Sequence, residues 1–562
     1  MSGEPEVLII GAGPVGLSGA LALGRAGIRC LLLERRHEYS RYPKAGGVHP
    51  WTMEIFREWG LAAPVRALTV GMPARPVIQW RTRLNGATLG EISVGESEAD
   101  DRLLDSLSPE RLSNANQYML EPLLATAAGE LDSVTISLGS TVVDLSVCDD
   151  SVTVEFVDTA GARHTVTAQY VIGSDGARSI VRRALDIGEH GQESLGTAFN
   201  VQFEADLDPY LSDRNIPVIW VVNKDTQGAF IRSSPTSWRY NFDISPGIDS
   251  SIVTPERCEW EVRQGIGEDI PVTIDTTWSW KHELAVADTW RRGRVFLVGD
   301  AAHRFPPHGG FGMNSGVQDV QNLAWKLTAM LRWSAGDRLL DSYEAERLPV
   351  ADFNGKQMMH NTREMEKTGF LAQDKMFLEA VEEGTDEGAR VRTVIAEGVK
   401  AQRAQMVNHG QQFGFQYESA AVVSDGSPIV ESSVAEYRPT ARPGARVPHS
   451  WVISHDSVIS TVDLYDGGFI LLAGPENSSW EVAANRVREE IGIALKSFIL
   501  GRDLMPKGES LLRLLGRYGL ERSGAILIRP DGFVGFRSAA QGNNEYVELV
   551  SAFNQILDLD WR

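Results

Sequence analysis

Apolar runs that halt at glycine recur along this chain. Glu6-Val-Leu-Ile-Ile10 predicts a short buried strand, running into Gly11-Ala-Gly13-Pro14-Val15-Gly16 and a helix of small residues to about Arg25. Arg29-Cys-Leu-Leu-Leu33 predicts a second strand, ending at Glu34. Tyr170-Val-Ile-Gly173 ends at Ser174-Asp175-Gly176 and leads into a helix-like Ser179 to Leu185. Val295 to Val298 stops at Gly299-Asp300, and the loop beyond, with Pro306, Pro307, Gly309, Gly310 and Gly312, is too irregular for helix or strand. From about Asn314 apolar residues return at helical spacing: Val317, Val320, Leu323, Ala324, Leu327 and Leu331. Strand, tight turn and helix in that order build α/β sheets, which bind ligands beyond their strands' carboxyl ends.

Elsewhere the period changes. Val134 to Leu138, Thr141-Val-Val143, Ser151 to Phe156 and Thr165-Val-Thr167 alternate like a small antiparallel set. Between about Leu185 and Leu284 the strands are aromatic-rich, as in Pro217 to Val222, Gly228 to Arg232 and Trp238 to Ile244, which predicts a sheet with one face buried. Gly336 to Val407 reads as charged helix, a scaffold between domains or subunits. Another domain is expected near Pro439, with strand signals at Val458–Val462, Gly468–Leu472, Ala525–Ile528 and Gly532–Phe536, the turn Arg529-Pro-Asp-Gly532, and a final helix.

A chain of 562 residues is too long for one core. Its 54 basic and 75 acidic residues leave a net charge of −21, which argues against nucleic acid or an anionic membrane as partner. Cys30, Cys148 and Cys258 form neither a CxxC pair nor a disulfide framework, and no metal site is expected. The first residues show no basic region, and no apolar window approaches the ~20 residues of a membrane span. The expected compartment is the cytoplasm.

The first unit is strand, G-x-G-x-x-G, helix, strand and acid, the dinucleotide fingerprint in its required setting. Gly11 allows a tight turn, Gly13 lets backbone approach a pyrophosphate, Gly16 lets helix and strand pack, and Glu34 would accept from a ribose. Asp175 and Asp300 add two further strand-end acids. In this order the three sites resemble the class A flavoprotein aromatic hydroxylases, with Gly11 to Glu34 matching their FAD fingerprint, Asp175-Gly176 their DG motif and Gly299-Asp300 their GD motif. Gly309 to Asn314, Asp341 to Arg347 and Tyr437 to Arg446 are similar to the phenol and dichlorophenol hydroxylase branch.

That resemblance implies an α/β fold: a Rossmann-like FAD-binding domain (the GR2 type), an inserted mixed-sheet substrate domain, and a redox-silent thioredoxin-like domain at the carboxyl end. The expected boundaries are 1–75, 100–185 and 285–345 for the FAD domain, 76–99 and 186–284 for the substrate domain, 346–410 for a helical connector and 411–562 for the last domain. It implies FAD contacts at Pro14, Val15, Arg35, Lys44, Gln117, Val142, Pro307, Gly310, Gly312, Met313 and Asn314 besides the motif residues. In this family NADPH or NADH reduces the flavin, O₂ adds at ring position C4a, and the hydroperoxide transfers OH to an electron-rich ring. NAD(P)H would visit transiently, since no second G-x-G-x-x-G exists.

The family's substrate pocket lies beneath the aromatic-rich sheet, which points to the region of Trp220, Phe230, Tyr240 and Phe242. The loop from Pro43 to Glu54 aligns with one bordering flavin and substrate. Lys44 there replaces the usual arginine, and Gly46 occupies the position of a family aspartate base, so the base is not carried over. By location the candidates for phenol activation are His49, Tyr240 and His308, His49 also reading as a histidine that satisfies loop carbonyls. Trp278-Ser-Trp-Lys-His-Glu283 resembles the WxWxIP of flavin halogenases only superficially, lacking Ile-Pro. The expected activity is hydroxylation of a phenolic ring by a homo-oligomer. The alternatives are another FAD oxygenation (epoxidation, oxidation or Baeyer–Villiger insertion) of a polycyclic natural product and, remotely, a non-catalytic carrier on the same fold.

Overall fold

The computed structural model describes residues 4–561, apart from 43, 70–75, 96, 212–215, 235, 245–248, 250–252, 371, 373 and 477. Pro43, at the head of the flavin-bordering loop, lies outside the described residues. Strands Val134–Leu138, Cys30–Glu34, Val7–Ile10, Tyr170–Gly173 and Val295–Leu297 lie side by side in that order and all parallel, with Arg291–Arg292 antiparallel at the far edge. Val134–Leu138 is therefore an edge strand of the parallel sheet. Only Thr141–Val147, Val152–Val157 and Arg163–Ala168 form the small antiparallel set expected for all four runs. Five alternating residues bounded by turns do not reveal which sheet they join; pairing does. Helices Pro14–Arg25 and Phe311–Arg332 cover one face, where a Cβ added at Gly316 would come within 2.5 Å of Val15.

The second sheet has eight strands. The long strands Glu189–Glu204 and Thr273–Ala287 pair antiparallel, and the order continues through Ser237–Ile244, Gln227–Arg232, Val218–Val222, Val77–Arg81 and Thr88–Ser93. Val218–Val222 pairs parallel with Val77–Arg81, which makes the sheet mixed. Helix Pro255–Ile266 lies over one face. It starts because Thr254 accepts from Arg257 N–H and Pro255 sits at the first position; it stops at Gly267, with φ +82°. Its Cys258, Val262 and Ile266 join Phe199, Val201, Phe203, Phe230, Trp238, Tyr240 and Phe242 in one core.

The last domain holds a four-stranded sheet, Leu495–Ile499, Phe469–Ala473, Ala525–Ile528 and Val534–Ser538 in order, the first pair parallel and the others antiparallel. Helices Ser479–Ile491 and Glu545–Leu557 share one of its cores with Trp325 of the flavin-side helix, so the domains are packed together. The hairpin turn after Ala525–Ile528 is buried, with Arg529 at 0%, Asp531 at 3% and Phe533 at 1% exposure. Turns usually face water, and a buried one needs its polar groups paired. Here Arg529 donates to Glu346 at 2.5 and 2.9 Å and to Asp531 at 3.0 Å. Glu346 also accepts from Lys326 at 2.8 Å, Asn322 at 2.7 Å and Ser419 at 2.6 Å. Two cations and two carboxylates thus meet, buried from solvent, between the last domain and the helix that begins at the cofactor cleft.

Candidate active site

All five parallel strands open their carboxyl ends on one edge, and the glycines there have separate duties. Gly11 has φ +105°, and a Cβ on it would lie 2.5 Å from the Ser174 carbonyl oxygen; one on Gly16 would lie 1.9 Å from that of Gly11. Nothing stands within 4 Å of a Cβ built at Gly13, so bare backbone faces the cleft there. Gly13 begins helix Pro14–Arg25, and Gly310, at φ +72°, begins Phe311–Arg332; neither helix has a side-chain cap. The first-turn N–H groups, including those of Val15, Gly312 and Met313, are left to a ligand, together with two positive helix ends.

Glu34 is buried, accepting from Ala12 N–H at 2.8 Å and from the Arg36 backbone and guanidinium at 2.9 Å. Burial pushes its carboxyl up, but those donors overrule it and hold it below the usual range. Arg36 is the arginine at this carboxylate; Arg35 is exposed and has no part in the pair. Asp175 caps helix Ile180–Ala184 through Oδ2, 2.6 Å from Ile180 N, while its buried Oδ1 has no partner among the described residues. Burial pushes this carboxyl up. Asp300 is set deep among protein atoms, which also pushes it up, against the charges of His303, Arg304 and Lys44. Its side chain is nonetheless exposed because it faces the cleft, and that open side keeps it an acceptor for a hydroxyl. The strands preceding Glu34 and Asp300 are three sheet spacings apart, roughly 14 Å, a span suited to a dinucleotide. The open Gly13 backbone, two uncapped helix ends and the partnerless Asp175 oxygen fit FAD.

The loops around this cleft are tied down by side chains. Asn314 accepts from His49 N–H at 2.8 Å and donates to the carbonyls of Gly47 at 2.9 Å and Gly310 at 2.7 Å. Its side chain is consumed in holding two loops together, which leaves its backbone for a cofactor. His49 Nε2 lies 3.0 Å from the Gly309 carbonyl, and burial lowers its pKa to about 4. That is the loop-satisfying role, with Nδ1 left without a partner among the described residues. Gln117 N–H donates to Ala45 O at 2.8 Å and its side chain to Glu121 at 2.7 Å. Lys44 and Pro307 are exposed, and Val142 is buried at a strand bulge.

Two residues beyond the motifs matter, Arg182 and Asp319, together with Arg347 at the end of one. Arg182 donates to the carbonyls of Ala177 at 3.1 Å and Ala301 at 3.0 Å, bridging the DG and GD loops. Asp319 accepts from His303 at 2.7 Å, Gly299 N–H at 3.2 Å and Arg347 at 2.9 Å, and Arg347 reaches the Tyr417 hydroxyl at 3.1 Å. An arginine in a helical run and an aspartate in a long helix carry no sequence signal of such duties.

Alternation along the eight-stranded sheet corrects the expected pocket. Phe230, Tyr240 and Phe242 share the face covered by helix Pro255–Ile266, and a Cβ on Gly265 would come within 2.9 Å of Phe230 and 3.2 Å of Tyr240. Tyr240 is fully buried there, its hydroxyl 2.6 Å from Thr226 Oγ, and burial drives its phenol up. It is neither a pocket residue nor a base. The opposite face carries one row across the strands, Trp278, Asn200, Asn241, Ala229 and Trp220. This is the flavin-loop side. Tyr42 packs at a tilt against Trp278, 5.5 Å between ring centroids, and His308 is near enough to His282 and Asp243 of this face to be shifted by them. Asn200 Nδ2, Asn241 Oδ1, Gln202 Oε1 and Trp220 Nε1 are buried here without partners among the described residues. Of the four pocket residues expected, only Trp220 faces this side, packed on Phe370 at 4.7 Å. His308, near His282 and Asp243, has a pKa lowered to about 4, first by burial and then by His282.

These features define an FAD-dependent monooxygenase, with bound flavin supplying the oxygen chemistry and NAD(P)H the electrons. Residues 4–358 match the FAD binding domain family and 440–558 the aromatic-ring hydroxylase C-terminal family, and the chain belongs to these flavoprotein aromatic-ring hydroxylases. It is 34% identical to tetracenomycin A2 monooxygenase-dioxygenase of Streptomyces glaucescens, over 99% of this chain and 97% of that one. It is 33% identical to 4-methyl-5-nitrocatechol 5-monooxygenase of a Burkholderia species, over 99% and 98%. The flavin-dependent monooxygenase PieE, solved with FAD and substrate, superposes with a TM-score of 0.90 at 31% identity, covering 99% of each chain. The non-catalytic carrier is thereby set aside. Among the described residues no helix is long and apolar enough to cross a membrane.

Proposed function

We propose that this enzyme hydroxylates a flat, multiply oxygenated, fused-ring phenol held between the amide-bearing face of the eight-stranded sheet and the loop Phe305 to Gly312. The observation that carries this is the row of buried amide atoms without partners among the described residues, Asn200 Nδ2 and Asn241 Oδ1 with Gln202 Oε1 beside them. Leaving such groups unpaired costs ~1–3 kcal/mol each, so they are kept for a ligand with several edge oxygens. Trp220 and Trp278 wall the row at strands four spacings apart, roughly 19 Å, ample for several fused rings and wide for a single one. Tetracenomycin in the name of one relative supports the polycyclic reading; nitrocatechol in another favours a single ring.

The chain's own tasks are to bind the ring flat, keep water out beneath the sheet, and draw a proton from the phenol so that the ring is electron-rich where oxygen arrives. A cytoplasmic homo-oligomer completes the reading. Three free thiols, Cys30, Cys148 and Cys258, suit a reducing compartment, and light scattering tests the assembly. The deciding experiment incubates holoenzyme, NAD(P)H and ¹⁸O₂ with monocyclic phenols and with hydroxyanthraquinones, measuring product mass and hydrogen peroxide. Coupled insertion of one labelled atom as a ring hydroxyl into the fused-ring compounds is expected. Coupling with monocyclic phenols alone overturns the proposed substrate class, and a ring-opened or epoxide product overturns hydroxylation.

A further inference from the structure

Strand Thr273–Ala287 carries a histidine that nothing in the cofactor cleft requires. His282 stands opposite Gly196 on the neighbouring strand, where the missing side chain leaves a lane across the sheet. Through that lane Nε2 reaches Asp243 Oδ1, two strands away, at 3.0 Å. Asp243 stands opposite Ala198, the next small residue, so the pair lies over two positions that cannot obstruct it. The side chains are 9% and 14% exposed, and Trp280 lies against the imidazole at 4.3 Å between ring centroids. All of this is on the face that meets the flavin loop.

We propose that Asp243 and His282 together form the proton acceptor for the substrate phenol, with Asp243 holding Nε2–H so that Nδ1 takes the proton. This rests on the chamber described under the proposed function. In the step the substrate O–H bond breaks, an N–H bond forms on Nδ1, the electron pair stays on the ring oxygen as phenolate, and nothing is oxidised or reduced. The carboxylate fixes the tautomer and gives the protonated ring an adjacent counter-charge, as in other carboxylate–imidazole pairs.

The remaining candidates are worse placed. His49 is tied to the Gly309 carbonyl, and Tyr240 points to the far side of the sheet. His308 has Nδ1 engaged with Thr362 Oγ at 3.0 Å and a pKa lowered to about 4, too weak a base at neutral pH. The groups facing the pair are His308 from the loop, the uncharged Thr362 hydroxyl from the long helix, Tyr42 beyond Trp278, and Arg239 farther along the strand of Asp243.

The test uses a hydroxyanthraquinone, whose visible band shifts when its phenol ionises, bound to holoenzyme and followed by difference spectra against pH. In wild type the bound dye is expected to ionise at least tenfold more readily than the free dye. His282→Gln should return it to the free value, and Asp243→Asn should move it the same way by less. Turnover of the dye by His282→Gln should fall about a hundredfold near neutrality and recover at high pH, where the phenol is already ionised. Tyr240→Phe, across the sheet, should leave both readouts unchanged. Should His282→Gln and Asp243→Asn bind the dye with wild-type ionisation and pH profile, the base assignment is overturned. Refusal of the dye by wild type would instead bring down the fused-ring chamber, and this proposal with it.

Discussion

Glu346→Gln is the sharpest probe of how the last domain meets the cofactor helix. Glu346 is 2% exposed overall, with its side chain fully buried, and it faces both Arg529 and Lys326; Asp531 is the second carboxylate of the cluster among the described residues. The substitution keeps the shape and leaves two buried cations against one anion. Uncompensated buried charge of this kind costs ~3–5 kcal/mol, two to three or more decades in the folded fraction at ~1.4 kcal/mol per decade. The cluster sits on the far part of the helix that begins at the cofactor cleft, and Trp325, 5.2 Å from the Arg529 guanidinium, reports on it. Urea unfolding should therefore show an earlier transition in tryptophan emission, with flavin fluorescence released at the same urea concentration. The double variant Lys326→Met/Glu346→Gln restores one cation against one anion and should recover part of the loss. A loss below ~1 kcal/mol for Glu346→Gln, the scale of a solvated surface pair, would refute the reasoning. So would a double variant no better than the single one.

Other outcomes follow from the same geometry. Asp300→Ala removes a charged acceptor worth ~1.5–3 kcal/mol, so FAD Kd by fluorescence titration should rise about ten- to a hundredfold; wild-type affinity would remove Asp300 from the site. Tyr240→Phe should lower stability by ~1 kcal/mol, for its lost bond to Thr226, and leave turnover alone; a large fall in kcat would return Tyr240 to the active site. Asn241→Leu should raise KM for a fused-ring substrate more than it lowers flavin affinity, read by paired titrations. His49 and His308 are each held at about 4 against an ordinary 6.5. The unfolded chain therefore binds more protons than the folded one between those values. Stability is full above pH 6.5 and falls as pH drops toward 4, by ~3 kcal/mol for each histidine. Thermal melts of holoenzyme from pH 7 to 4.5 should show it, and a flat profile would contradict the burial of both rings.

Sequence alone determined the cofactor cleft, because its chemistry is local. Gly11 needs glycine for its own φ of +105°, and Gly16 for the Gly11 carbonyl five residues before it. A parallel strand ending in an acid delivers that acid to the sheet's ligand edge, wherever its neighbours lie in the chain. Glu34, Asp175 and Asp300 are legible as strand-end acids for that reason. The tertiary structure alone decided which face of each alternating strand turns toward the flavin. A two-residue period separates Tyr240 from Asn241 but does not say which side a helix will cover, and Pro255–Ile266 took the aromatic side. It also decided that the turn Arg529-Pro-Asp-Gly532, polar and locally unremarkable, is a buried joint, and that Val134–Leu138 is a parallel edge strand. Burial and pairing are properties of contacts between distant segments, and no window of the chain contains both partners.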